Sequence, residues 1–173
     1  MAHFAEIKTE NNEVIRVVVI NDNDINSLGQ DSVEAENWVN NNIPEDAYLK
    51  ATVFDGIYPE TYWKRTSYNT INNTHTLGGT PFRGNYAGPG GTYDSELNVF
   101  WSPKTFDSWV KNNTTIAWEA PVAVPTYTQD FDGTTFNIIL EWDETNQKWL
   151  GTTVENSPKN VEWDPINTIW ILA

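Results

Sequence analysis

The chain contains no cysteine, which excludes disulfide scaffolds, thiolate metal sites and cysteine nucleophiles together. Its two histidines, His3 and His75, are too few for a histidine-based metal cluster. No apolar run reaches the length of a membrane-spanning helix, and the opening MAHFAEI lacks the basic and apolar regions of a signal peptide. From these absences we expect no metal, no cofactor and no membrane association.

Basic residues are also scarce. Ten lysines and arginines stand against 24 aspartates and glutamates, which leaves a formal net charge of −14. The longest cationic run is Lys64-Arg65. Because phosphate backbones are bound by clustered basic side chains, we do not expect direct nucleic-acid binding. An acidic surface instead suits a basic protein partner.

Aliphatic residues are few, whereas aromatic residues make up 13% of the chain and include nine tryptophans. This composition is too aromatic for a disordered chain. Asparagine and threonine are abundant and favour turns and strands. We therefore predict a mainly β fold of short antiparallel strands and aromatic hairpins, with one short helix, glycine- and tyrosine-rich central loops and an aromatic core.

The segment 63–94 is rich in glycine and tyrosine. Glycine reaches positive-φ conformations easily, but loops of this composition are costly to order alone. We therefore expect residues 70–81 and 84–91 to be ordered by a neighbouring chain. Tyrosine and arginine are the types enriched at interface hot spots. The predicted interface residues are Trp63, Tyr68, Arg83, Tyr86 and Tyr93.

Three elements are predicted before this segment. Residues 3–21 are rich in β-branched side chains and predict a hairpin. Residues 32–42 are the only good helix candidate, because Ser32 can cap the N-terminus and Pro44 ends the helical pattern. Residues 47–58 predict a further short strand.

A unit of an aromatic residue, an aspartate and a second aromatic residue recurs, with the two aromatics seven positions apart. The aspartate is expected to open a tight turn by accepting hydrogen bonds from backbone N–H groups. The two rings should then meet across adjacent strands. The instances are Tyr93-Asp94 with Phe100, Trp142-Asp143 with Trp149, and Trp163-Asp164 with Trp170. Trp109 and Trp118 flank a looser version.

These elements suggest that the chain is organised into four consecutive regions. The ranges are an N-terminal β region with the helix (1–62), a glycine-, tyrosine- and tryptophan-rich centre (63–119), a proline-punctuated linker (120–126) and C-terminal hairpins (127–173).

Carboxylate pairs and tryptophans are the candidates for chemistry. Glu141 with Asp143, and Glu162 with Asp164, could serve a glycosidase. Their position at hairpin starts favours turn capping instead. The tryptophans could form sugar-stacking platforms, but a core short of leucine and isoleucine needs them for packing. We therefore expect no catalytic residues.

Two loop motifs fall short of known ligand sites. The run NDNDIN (21–26) lacks the glycine and glutamate that a calcium loop requires and predicts a solvated turn. The run GNYAGPGG (84–91) lacks the lysine and following helix of a phosphate loop.

Several motifs occur together over residues 1–150: MAHFAEI, W-x-x-TSYN, FRGNYAG, FDSWVKN and WEAPVAVP. In this order they resemble a family of small virion structural proteins of tailed phages that infect marine cyanobacteria and related bacteria. The chain departs from that pattern by the added residues 70–81 and the additional hairpin of 151–173. The resemblance implies a virion component without enzymatic activity, and leaves open whether it lies on the head, neck or tail.

The sequence-based expectation is thus an accessory virion structural protein that contacts other virion proteins in multiple copies, with capsid-surface decoration as the leading role. A tail, neck or baseplate component is the alternative within this class. A glycan-binding adhesion module, which would use tryptophan platforms on a host-surface glycan, is the alternative from another class.

Overall fold

The structure is a computed structural model. It describes residues 1–25, 33–43 and 58–173. The predicted mainly β fold of antiparallel strands is confirmed. Two compact units are present. The N-terminal unit comprises Met1–Lys104 and Asn112–Ala117, and the C-terminal unit comprises Thr105–Lys111 and Trp118–Ala173. The proline-punctuated range 120–126 is thus part of the C-terminal unit.

The N-terminal unit is built on a three-stranded sheet in the order β2-β1-β3. Its strands are β1 (Ala2–Lys8), β2 (Val14–Ile20) and β3 (Thr61–Thr66). The predicted hairpin of residues 3–21 is confirmed as the β1–β2 pair, which contains a bulge between Glu6 and Ile7. The third strand joins by long-range antiparallel pairing, with His3 opposite Thr66 and Lys8 opposite Thr61.

Two helices are described, α1 (Asp22–Ile25) and α2 (Val33–Asn42). The helix predicted over residues 32–42 is confirmed as α2, while Ser32 lies outside the described residues. Ala35 and Val39 on α2 are buried in the core formed with Phe4 and Trp63. Val33, at the start of the same helix, is exposed.

Two other predictions concern residues around these helices. The expected solvated turn at 21–26 contains the single helical turn of α1, which buries Ile25, while Asn26 lies outside the described residues. Of the strand predicted over residues 47–58, residues 47–57 lie outside the described part of the chain, and Tyr58 is not in a strand.

The central loops contain two short hairpins. Their strands are β4 (Thr70–Ile71), β5 (Thr74–His75), β6 (Thr92–Asp94) and β7 (Val99–Trp101). In residues 70–91, which are expected to be ordered by a neighbouring chain, side chains of the same unit accept hydrogen bonds from three backbone N–H groups. Thr66 Oγ1 accepts from Ala87 N (2.8 Å), Thr70 Oγ1 from Phe82 N (3.0 Å), and Asn85 Oδ1 from Asn72 N (2.7 Å).

Gly91 shows why glycine is needed in this loop. Its carbonyl oxygen accepts a hydrogen bond from Val14 N (2.8 Å), and a Cβ at this position would lie 2.6 Å from the backbone oxygen of Trp101. We expect Gly91→Ala to lower the free energy of unfolding by ~1–3 kcal/mol, as for other overpacked sites. Gly88→Ala is the matched control, since a Cβ there meets nothing within 4 Å. Urea denaturation checks both, and equal stabilities of the two variants would contradict this close packing.

The C-terminal unit is centred on a five-stranded antiparallel meander in the order β10-β11-β12-β13-β14. The remaining strands are β8 (Val110–Asn112), β9 (Ala117–Glu119), β10 (Thr128–Phe131), β11 (Thr134–Asp143), β12 (Lys148–Thr153), β13 (Asn160–Asp164) and β14 (Ile169–Leu172). The sheet curls into a nearly closed barrel. Gln129 on β10 accepts a hydrogen bond through Oε1 from the backbone N–H of Trp170 on β14 (3.2 Å), which links the first strand to the last.

The recurring hairpins predicted from the aromatic–aspartate spacing are confirmed. In each, the two aromatic residues lie directly opposite each other on adjacent strands. The pairs are Tyr93 with Phe100 (ring centroids 5.1 Å apart), Trp142 with Trp149 (5.1 Å) and Trp163 with Trp170 (5.4 Å). The aspartate accepts backbone hydrogen bonds in the turn, as Asp164 Oδ1 does from Ile166 N (2.9 Å) and Asn167 N (3.1 Å).

Residues 111–118 form a fourth turn of this kind. Asn112 takes the place of the aspartate, and its Oδ1 accepts from the backbone N–H two residues on (2.9 Å). Ile116 has a φ of 49°, close to the values of 50–55° at the matching positions of the other three turns. Those positions are Asn98, Gln147 and Thr168. The hairpin predicted between Trp109 and Trp118 is thus present as the β8–β9 pair, and Lys111 Nζ lies 5.6 Å from the ring centroid of Trp118.

Candidate functional site

The five predicted interface residues divide into two groups. Trp63 and Tyr93 are buried in the core of the N-terminal unit, and only 11% of the Arg83 side chain is exposed. These three residues therefore have little surface to offer a partner. Tyr68 and Tyr86 do lie at the surface, and the structure brings them together on one side of the unit.

Arg83 is held by a buried carboxylate that the sequence analysis did not identify. Glu36 on α2 accepts hydrogen bonds from Arg83 Nη1 (2.6 Å), Lys64 Nζ (2.8 Å) and Arg65 N (3.0 Å). Burial by itself would raise the pKa of Glu36, but these hydrogen bonds outweigh burial and hold the pKa below its ordinary value. The network joins α2 to β3 and to the loop that carries Arg83, so its role is structural.

The tryptophans are packing residues. Six of the nine are buried, and the other three are half-buried. The half-buried ones are Trp38, Trp109 and Trp118. The interpretation of the tryptophans as core residues is confirmed. This burial leaves little tryptophan surface on which a sugar could stack.

The two aspartates of the carboxylate pairs serve the hairpin turns, as predicted. The pKa of Asp143 is lowered chiefly by a hydrogen bond from the Asn146 side chain, and Asn167 lowers the pKa of Asp164 in the same way. Glu162 forms an ion pair with Lys148 (2.7 Å). Each of these three carboxylates is therefore engaged in local structure.

The described residues contain neither a metal-ligating cluster nor a membrane-spanning helix. Within residues 1–25, 33–43 and 58–173, no group of three or more potential metal-ligating side chains comes together. None of the helices in that part of the chain is long and apolar enough to cross a membrane.

The first exposed surface is a groove of about 400 Å³ on the N-terminal unit, here called the tyrosine groove. Its lining residues are Tyr68, Thr70, Ile71, Asn72, Asn85, Tyr86 and Ser102. None of them is charged, although the chain as a whole is strongly acidic. Tyr68, Ile71 and Tyr86 are exposed, so apolar surface stands beside uncharged polar groups.

The rings of the tyrosine groove are held in place by His3. Its ring centroid lies 5.4 Å from that of Tyr68 and 5.7 Å from that of Tyr86. His3 Nδ1 is 3.2 Å from the Tyr86 hydroxyl. Burial, then the N-terminal ammonium and Arg65, lower the pKa of His3, which favours the neutral ring. In the tautomer that carries its hydrogen on Nε2, the Nδ1 atom accepts a hydrogen bond from the Tyr86 hydroxyl.

The polar floor of the groove is also fixed. Asn85 Nδ2 donates to the backbone oxygens of Phe100 (2.8 Å) and Ile116 (2.7 Å), while its Oδ1 accepts from Asn72 N. The β4–β5 turn carries Asn72, with a φ of 47°, and Asn73, with a φ of 55°. An Asn-Asn pair tolerates such a two-residue hairpin turn, and this is the signal that could have identified Asn72 from the sequence.

The second exposed surface lies on the C-terminal unit and is here called the β14 face. It consists of Ile166, Ile169 and Ile171, all of them exposed. Ile169 lies opposite Asp164 and Ile171 lies opposite Glu162 on the neighbouring strand. Apolar side chains that follow one strand and its preceding turn, bordered by acidic residues, are typical of a contact surface.

Comparison with known proteins identifies no relative of this chain. No protein-family model matches the chain, and no curated protein or solved structure matches it significantly. The tyrosine groove and the β14 face are therefore the observations from which a function can be proposed.

Proposed function

We propose that the chain is a non-enzymatic accessory structural protein of a tailed-phage virion, with decoration of the capsid surface as its leading role. Two of the motifs that carry the family resemblance support this proposal, because they contact each other in the N-terminal unit. Thr66 in TSYN accepts the hydrogen bond from Ala87 N in FRGNYAG (2.8 Å), and Arg83 Nη1 donates to Arg65 O (2.8 Å). Their joint occurrence in the sequence thus has a physical reason.

The β14 face is the observation that carries the docking part of the proposal. Several backbone groups of loop residues 70–91 have hydrogen-bond partners within the N-terminal unit. Burial of the exposed isoleucines of β14 against a partner lowers the free energy of the complex. The net charge of −14 favours a partner surface with basic residues at its rim. A tail, neck or baseplate location would use the same face on a different virion protein.

A co-sedimentation experiment tests this proposal. We expect the purified chain to sediment with phage particles assembled without it, and Ile169→Ser combined with Ile171→Ser to reduce the bound amount about tenfold or more, equivalent to ~1.4 kcal/mol. Ile139→Ser is the matched control, because Ile139 is exposed on β11 of the same unit but lies outside the β14 face.

Separated heads and tails, used in place of whole particles, distinguish capsid decoration from the tail alternative. Failure of the unmodified chain to bind either fraction would contradict the virion role. Undiminished binding of the double variant would contradict docking through β14.

A further inference from the structure

The tyrosine groove combines two kinds of group that bind sugars. Tyrosine rings offer flat apolar faces against which the C–H groups of a pyranose can pack, and their hydroxyls offer hydrogen bonds at the edge. Tyr68 has 64% of its surface exposed, and Tyr86, which lines the same groove, is 39% exposed. Ligand sites commonly join such apolar surface to a few placed polar groups.

Free polar groups are present where a ligand would need them. Among the residues that the structure describes, the Tyr68 hydroxyl and the Asn72 side-chain amide have no hydrogen-bond partner. A hydroxyl and an amide each both donate and accept. They therefore match sugar hydroxyls, which do the same.

The groove is ordered before any ligand arrives. His3 fixes the two tyrosine rings, and Asn85 fixes the floor through hydrogen bonds of 2.7–2.8 Å to three backbone groups. Binding would consequently immobilise few side chains, and preorganisation of this kind lowers the entropic cost of association.

Other ligand classes fit the groove less well. A charged ligand finds no opposite charge, because none of the lining residues is ionised at neutral pH. An extended peptide that adds a strand needs unpaired backbone donors. At the groove, the N–H groups of Thr70, Asn72 and Tyr86 already donate to Ser67 O, Asn85 Oδ1 and Thr70 O, respectively.

We infer that the tyrosine groove is a binding site for a neutral carbohydrate, with the Tyr68 and Tyr86 rings as stacking surfaces and Asn72 as a hydrogen-bonding group. This inference goes beyond the proposed structural role and does not depend on it. It also differs from the tryptophan-based glycan site considered above, since it uses other residues.

Saturation-transfer NMR on the full chain tests the inference. The probes are the methyl glycosides of glucose, galactose, mannose and N-acetylglucosamine at millimolar concentration. We expect transfer to at least one of them, and Tyr68→Ala to weaken its binding about tenfold or more, which corresponds to ~1.4 kcal/mol. Tyr68→Phe keeps the ring and should retain most of the binding.

Tyr127→Ala is the matched control, because Tyr127 is also 64% exposed but belongs to the C-terminal unit. It should bind as the unmodified chain does. The inference is overturned if none of the four glycosides shows transfer, or if Tyr68→Ala binds the glycoside as tightly as Tyr127→Ala.

Discussion

Replacement of Trp149 or Trp170 by alanine is expected to lower the free energy of unfolding by ~3–5 kcal/mol in each case, the usual cost of truncating a buried aromatic side chain. The two residues are only 6% and 2% exposed, respectively. Each ring packs edge-on against its cross-strand partner. The indole N–H of Trp149 donates to Val122 O (3.0 Å) and that of Trp170 donates to Thr126 O (2.9 Å). Each substitution thus removes packing and frees part of the proline-punctuated segment.

Chemical denaturation followed by far-UV circular dichroism measures these losses without relying on tryptophan fluorescence. Ile139→Ala on the outer side of β11 is the control, and we expect it to change stability by less than about 0.5 kcal/mol, as exposed positions usually do. Tryptophan variants that behave like this control would show that the C-terminal unit does not depend on its aromatic pairs.

Glu36→Ala is the second substitution with a large expected effect, a loss of ~3–5 kcal/mol, because removal of one partner leaves a buried charge uncompensated. Arg83 would keep its nearly buried guanidinium without the 2.6 Å hydrogen bond, and the backbone N–H of Arg65 would lose its acceptor. Glu34→Ala on the exposed side of the same helix is the matched control. Thermal or urea unfolding at neutral pH gives the comparison.

The pH dependence of the Glu36 effect follows from its pKa. The folded-state pKa lies below the ordinary value of 4.5. The stabilisation is therefore fully present above about pH 4.5 and is lost as the pH falls through the folded-state pKa. The stability difference between the unmodified chain and Glu36→Ala should shrink in acid. A difference that stays constant down to pH 3 would show that the carboxylate acts through its shape and not its charge.

Local chemistry explains the predictions that were confirmed. The turn that begins at Asp164 and the ring pair across it depend only on residues 163–170. Their pattern can therefore be read directly from the sequence. Helix α2 is likewise set by the residues of 33–42 and their periodic burial of Ala35 and Val39. The Asp132-Gly133 turn between β10 and β11 is another local signal, with φ values of 54° and 80°, although the sequence analysis did not use it.

Contacts between distant residues could not be predicted in this way. The pairing of β1 with β3 and the contact of Glu36 with Arg83 join residues more than 40 positions apart. The floor of the tyrosine groove depends on Asn85 reaching Ile116, which no local pattern specifies. The enrichment of aromatic residues at interfaces selected Tyr68 and Tyr86, which do lie at the surface. The same criterion also selected Trp63 and Tyr93, because residue type does not distinguish a core ring from a surface ring.

The central loop of residues 70–91 illustrates the same limit. Glycine and asparagine in residues 70–91 indicate a high ordering cost, and composition alone does not reveal what offsets it. The structure supplies the compensation through Thr66, Thr70 and Asn85, whose short side chains replace the strand partners that the loop lacks. Such compensation is a property of the folded unit and not of the segment.

A cryo-EM map of the tailed-phage particle that carries this chain tests the proposed placement most directly. We expect density for the chain in repeated copies on the capsid surface, with the β14 face buried against another virion protein. Density at the neck or tail would support the alternative location. A map of intact particles with no density for the chain on head, neck or tail would contradict the virion role.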